Sequence, residues 1–142
     1  MTKAQSRVGV RRHPLIREYM STSPHTIGPK QTLAAASGIL RRHGIRHLPV
    51  LDAGRIVGML SHRDILLIES LPDVKPEEVP VEDAMVQDVF TVSPDAPIGE
   101  AIETMIERKV GSAVVVGEND RVVGVFTTID ALAALHVLLD RL

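Results

Sequence analysis

An α+β fold, built from two pseudo-symmetric β-α-β-β-α repeats packed sheet to sheet, is predicted by three observations. The chain repeats itself at a spacing of 65 residues, each copy passes through extended and helical apolar periods in the same order, and 142 residues are too few for two independent domains. A chain of this size buries roughly 68–70% of its unfolded surface, whereas a lone unit of roughly 50 residues has too little core to stand alone. Two copies sharing a core resolve that shortage.

The internal repeat decides the architecture. Met20 falls on Met85, Thr26 on Thr91, Pro29 on Pro94, Leu33 on Ile98 and Leu40 on Met105. His47-Leu48-Pro49-Val50-Leu51 falls on Ser112-Ala113-Val114-Val115-Val116. After one inserted residue in the next turn, Gly58-Met59-Leu60-Ser61-His62-Arg63-Asp64 falls on Gly124-Val125-Phe126-Thr127-Thr128-Ile129-Asp130.

Each element follows from its local pattern. A short extended piece, His25 to Ile27 or Phe90 to Val92, leads through a Pro-containing turn into a helix. The helix shows in apolar residues at helical spacing, Leu33, Ala36, Ile39 and Leu40, then Ile98, Ala101, Ile102 and Met105. Asp95-Ala96-Pro97 is a helix start and Gly44 a helix stop. Two strands follow, joined by Asp52-Ala53-Gly54 or Gly117-Glu118-Asn119-Asp120, both hairpin-turn sequences, and a Ser or Thr then opens a further helix. The resulting division is an N-terminal arm over 1–15, a first repeat over 16–70, a connector over 71–80 with Pro72, Pro76 and Pro80, and a second repeat over 81–138.

Composition excludes several classes of function. There is no cysteine, hence no disulfide, thiolate metal site or cysteine nucleophile. Tyr19, Phe90 and Phe126 are the only aromatics, too few for a single-strand nucleic-acid platform. The apolar runs are strand-sized and the first twelve residues have no apolar signal region, so a cytoplasmic protein without membrane contact is expected. The net charge of −2 hides a division: residues 1–71 hold 11 Lys/Arg against 4 Asp/Glu, and residues 72–142 hold 5 against 14. Solvated faces explain this; so does an anion held near the first half, or basic and acidic halves that meet across a dimer.

Polar identity shared by both copies is not required for packing, which singles out Ser61-x-x-Asp64 and Thr127-x-x-Asp130. Each follows a strand and opens a helix. Taken singly, such an element is a capping box that satisfies free N–H groups. Taken as a pair, it suits a nucleotide: a helix start receives phosphate, and a carboxylate one turn in accepts ribose hydroxyls. Gly58 and Gly124 would let a ligand approach the strands, and Arg46, His47, His62 and Arg63 cluster basic groups at the first copy.

These stretches, with Met20-Ser21-Thr22-Ser23-Pro24-His25-Thr26-Ile27 and Gly44-Ile45-Arg46-His47-Leu48-Pro49-Val50, resemble the tandem cystathionine-β-synthase (CBS) domain pair, or Bateman module, over about residues 16 to 136. The wording is similar to the small stand-alone bacterial members. The resemblance implies that AMP, ADP or ATP, in some members S-adenosylmethionine or NAD, binds between the copies, and that two modules pair into a disk. It implies composite sites. One would use Ser61, Arg63 and Asp64, with Arg46 or His47 near phosphate, closed by Ala96, Gly111 and Ser112. The other would use Thr127, Thr128 and Asp130, closed by Gln31, Arg46 and His47.

The copies differ where charge matters. Arg46-His47 becomes Gly111-Ser112 and His62-Arg63 becomes Thr128-Ile129, so the Asp64 cleft suits a multiply charged phosphate and the Asp130 cleft a mononucleotide or a less charged ligand. Five of six histidines lie in the first half, but no pair shares one helix at the close spacing of a zinc enzyme, and no metal site or catalytic cofactor is expected. No nucleophile is oriented by a base and no Walker-type loop is present, so no enzyme is expected. The basic tail from Arg7 to Arg17, with Arg7, Arg11, Arg12 and Arg17, reads as a solvated or dimer-contacting arm rather than a nucleic-acid contact. The expected function is a homodimeric, adenosine-nucleotide-binding regulatory module. The alternative is a structural dimerisation unit in which Ser61 and Thr127 only cap helices.

Overall fold

The computed structural model describes residues 13–142. Most of the expected arm, with Arg7, Arg11 and Arg12, lies outside the described residues. In chain order the elements are α1 (Ile16–Tyr19), β1 (Ser21–Thr22), α2 (Leu33–His43), β2 (His47–Asp52), β3 (Arg55–Ser61) and α3 (His62–Glu69). Two 3-10 turns, Pro76–Glu78 and Val81–Asp83, lead into β4 (Thr91–Val92), α4 (Ile98–Arg108), β5 (Ser112–Val116), β6 (Val122–Thr127) and α5 (Thr128–Asp140).

The helices form where the spacing predicts them. Leu33, Ala36 and Leu40 of α2 and Ile98, Ala101 and Met105 of α4 are buried. Removing one such side chain from water contributes roughly 1.5–3 kcal/mol for the larger residues. Thr32 caps α2, its hydroxyl accepting from the Ala35 N–H at 3.1 Å, and Gly44 ends it in the left-handed conformation, φ 62°. Lys109 ends α4 in the same conformation, φ 55°, without glycine's freedom. The β2–β3 turn has positive φ at Ala53 and Gly54, the twist that a tight hairpin needs.

Each hairpin is antiparallel, with a register shift at the same place, Val50/Leu51 and Val115/Val116. A parallel neighbour joins each first strand, but not equally. In the second copy β4 pairs with β5 through Thr91 and Val92, and the Val114 N–H reaches the Phe90 carbonyl at 2.9 Å. Pro49 stands at the equivalent place and has no N–H, so the first copy retains a single bridge, Ile27 to Val50.

Alternation along the strands shows how the copies meet. Leu48, Val50 and Leu60 point into a core with α2 and α3; Val115 and Phe126 point into a core with α4, α5 and α1. Pro49, Met59, Val114 and Val125 point to the opposite faces, belong to neither core, and are nonetheless buried. Only the facing sheet can cover them, which is the sheet-to-sheet packing of the predicted α+β fold.

The copies also exchange their leading segments. Ile16 lies in the second core and Val81 in the first. Ser21 and Thr22 pair with β6, and Val86 bridges to Met59 of β3. The seam is itself symmetric. The Ile16 and Arg17 N–H groups donate to the Ala96 and Pro94 carbonyls at 2.9 Å, and those of Val81 and Glu82 donate to Gln31 and Pro29 at 2.7 and 3.0 Å. Arg17 pairs with Asp95 at one seam, and Lys30 with Glu82 at 2.8 Å at the other. The basic and acidic halves thus meet within the chain.

Candidate functional site

Both Ser/Thr-x-x-Asp elements are complete capping boxes. The Ser61 hydroxyl accepts from the Asp64 N–H at 3.0 Å, while the Ser61 N–H donates to Asp64 Oδ2 at 2.9 Å. The Thr127 N–H donates to Asp130 Oδ2 at 2.8 Å, and the Asp130 N–H reaches the Thr127 hydroxyl at 3.4 Å. Capping therefore occupies one oxygen of each carboxylate. No hydrogen bond within the described residues reaches the other oxygen, Oδ1, in either copy. A half-buried carboxylate with one free oxygen is an acceptor for a ligand hydroxyl.

Each carboxylate opens onto a cleft, of about 460 Å³ at Asp130 and about 540 Å³ at Asp64. Both volumes suit a small organic ligand. The Asp130 cleft gathers Thr127, Thr128, Arg46 and His47. The Asp64 cleft gathers Ser61, His62, Arg63, Gly111 and Ser112, again with Arg46 and His47.

Two expected residues line neither cleft. Ala96 and Gln31 are equivalent positions whose carbonyls hold the exchanged segments at Ile16 and Val81. Their place is taken by residues that the sequence reading passed over. Ser21 to His25 wall the Asp130 cleft, and Val86, Asp88, Val89 and Phe90 wall the Asp64 cleft. The available signal was the recurrence of Met20 and Met85 immediately before these stretches. Lys109 was also missed, although its counterpart Gly44 was noted.

Gly58 and Gly124 serve the exchange rather than a ligand. A Cβ on Gly58 would meet Met85 Cγ at 2.9 Å and the Val86 carbonyl at 3.1 Å. One on Gly124 would meet the Ser21 carbonyl oxygen at 2.6 Å and Met20 Sδ at 3.0 Å. The missing side chains admit a neighbouring backbone and its methionine, the close approach for which glycine is required.

One more symmetric pair furnishes the clefts. His43, the last residue of α2, stacks on His25 with ring centroids 3.7 Å apart. Arg108, the last residue of α4, stands over Phe90 at 5.5 Å and pairs with Asp88 at 3.0 Å. Burial pushes the His47 imidazole below its ordinary value; the Asp64 carboxylate partly offsets this and Arg46 adds to it. The neutral form of the His47 ring is thereby favoured. Among the described residues, permanent positive charge comes from Arg46 in the Asp130 cleft, and from Arg46, Arg63 and Lys109 in the Asp64 cleft. No group of three or more metal-ligating side chains occurs among the described residues.

Residues 16–70 and 81–137 each match the CBS domain family. The chain belongs to the CBS domain family, as a tandem pair. It is 34% identical over 129 residues to the A-adding tRNA nucleotidyltransferase of Aquifex aeolicus (strain VF5), covering 89% of this chain and 15% of that protein. It is 25% identical over 107 residues to the CBS domain-containing protein YhcV of Bacillus subtilis (strain 168), covering 75% of this chain and 76% of that protein. Among solved structures, the CBS domain pair of protein MJ0100 in complex with 5′-methylthioadenosine and S-adenosyl-L-methionine superposes with a TM-score of 0.80, at 26% identity, covering 88% of this chain and 98% of that one. The CBS pair thus spans a small part of a large enzyme in one relative and most of a small protein in another.

Proposed function

We propose that this CBS pair is a non-catalytic regulatory module that binds adenosine-containing ligands in the clefts beside Asp64 and Asp130. The two capping carboxylates carry the reading: each lines a cleft, at a helix start, in both copies, and hydrogen bonds among the described residues use only one of its two oxygens. The free oxygen accepts a ribose hydroxyl, and the cationic side chains of each cleft meet phosphate. The structural relative in complex with two adenosine compounds supports the ligand class. The charge difference makes ATP or ADP the better ligand beside Asp64 and AMP the better one beside Asp130. No catalytic cofactor enters the proposal, and neither does a nucleic-acid partner.

A homodimer belongs to the same proposal. Leu66 and Leu67 on α3, and Ile129, Leu132, Leu135 and Leu139 on α5, are each about half or more exposed. A second copy covering this face accounts for them. No helix among the described residues is long and apolar enough to cross a membrane; we place the module in the cytoplasm, the compartment rich in adenylates. Sedimentation velocity of the wild type and Leu135→Glu should show a dimer and a monomer respectively, and a monomeric wild type would refute the pairing.

A structural dimerisation unit without ligand is the second reading, favoured by the completeness of both capping boxes. Thermal unfolding with AMP, ADP and ATP separates the two. A ligand at 100 times its Kd adds about 2.7 kcal/mol to stability; an unchanged Tm with all three supports the structural unit.

A further inference from the structure

The two clefts are not separate compartments: Arg46, His47 and Thr128 line both. The Arg46 carbonyl accepts the His62 N–H at 2.9 Å, at the start of the Asp64 helix. The His47 ring lies against Gly111, with Nε2 3.6 Å from where a Cβ would stand. In a fully symmetric pair, position 111 would carry a second copy of position 46, one cation for each cleft. Here the second copy is glycine.

We propose that the two clefts compete for Arg46, so that a polyphosphate bound beside Asp64 weakens the binding of another beside Asp130, and the reverse. This rests on reading both clefts as sites for phosphate-bearing ligands. With Arg46 engaged beside Asp64, the described residues give the Asp130 cleft no other permanently charged cation, and His25 and His47 are its remaining basic side chains among them. The Asp64 cleft keeps Arg63 and Lys109 when Arg46 turns away. The Asp64 cleft therefore fills first. Because coupling between sites is reciprocal, occupancy of either cleft lowers the affinity of the other by one common factor. An uncharged ligand makes no demand on Arg46 and experiences no coupling.

Calorimetric titration at about pH 8, where histidine is neutral, tests this with adenosine and ATP as probes. ATP should bind in two events differing by at least ~5-fold beyond any difference shown by adenosine. In Asp64→Ala, the Asp130 cleft should bind ATP at least ~5-fold tighter than in the second wild-type event, a gain that reports the coupling alone and not the part of the wild-type difference that Arg63 and Lys109 supply. Gly111→Arg, whose Cβ meets only ordinary contacts, supplies the Asp64 cleft with its own cation and should bring the two events together. Equal and independent ATP events in the wild type overturn the coupling, as does an unchanged second event in Asp64→Ala. Absence of binding by both probes overturns the reading of the clefts themselves.

Discussion

The Asp64 and Asp130 clefts are made from the same backbone and furnished with different charges. Much of the packing frame is duplicated: the capping boxes, the left-handed helix ends at Gly44 and Lys109, the strand glycines and the methionines that fill the space above them. What faces the clefts diverges: Arg46 against Gly111, His47 against Ser112, Arg63 against Ile129, His25 against Phe90. The frame is fixed by close backbone contacts, while the lining side chains diverge together with their own partners, His25 stacking on His43 where Phe90 lies under Arg108. Duplication in this chain therefore preserved a scaffold and separated two sites.

The largest effect should come from breaking the duplicated frame. Gly124→Ala places a methyl group against the Ser21 backbone oxygen, which cannot yield, and should cost about 1–3 kcal/mol in chemical unfolding. Gly58→Ala meets first the flexible end of Met85 and should lie at the lower end of that range. Equal losses would show that the two exchanged segments are held alike. Tolerance of both changes would refute the close approach.

A smaller difference follows from His47, which has only Ser112 as its counterpart. Its folded-state pKa lies below the unfolded value of about 6.5 because burial disfavours the charged ring. The unfolded chain then takes up a proton that the folded chain refuses. The contribution to stability is complete above about pH 6.5 and is lost as the pH falls towards the lowered pKa. Thermal unfolding between pH 7.5 and 5 should show this decline, and His47→Asn should flatten it. A variant with an unaltered slope would remove His47 as its source.

Much of this molecule was legible in sequence because periodicity and caps report local burial. The α2 and α4 core positions, the hairpins and the helix starts at Ser61 and Thr127 all follow from patterns within a few residues. The exchange of leading segments was not legible, since a period shows which face is buried and not which copy covers it. Met20 fits above Gly58 or Gly124 equally well on local grounds. Charge is the one sequence feature that distinguishes the arrangements. Without exchange, Arg17 would face Lys30 and Glu82 would face Asp95; with it, both become opposite-charge pairs. These pairs are exposed and contribute little to stability individually, but they favour the observed pairing over its alternative. Ala96 and Gln31 were misplaced for the same reason: they hold the seam that the exchange creates. In the clefts, the carboxylates and the Arg46-His47 pair were readable as polar identities without a packing role. The walls from Ser21 to His25 and Val86 to Phe90 depended on the unread exchange.

The inequality of the two clefts is tested most directly by calorimetric titration of ATP into the wild type, Asp64→Ala and Asp130→Ala. Asp64→Ala should abolish the tighter ATP event and Asp130→Ala should leave it within a few-fold of the wild type. Equal losses of ATP affinity in the two variants would contradict the account.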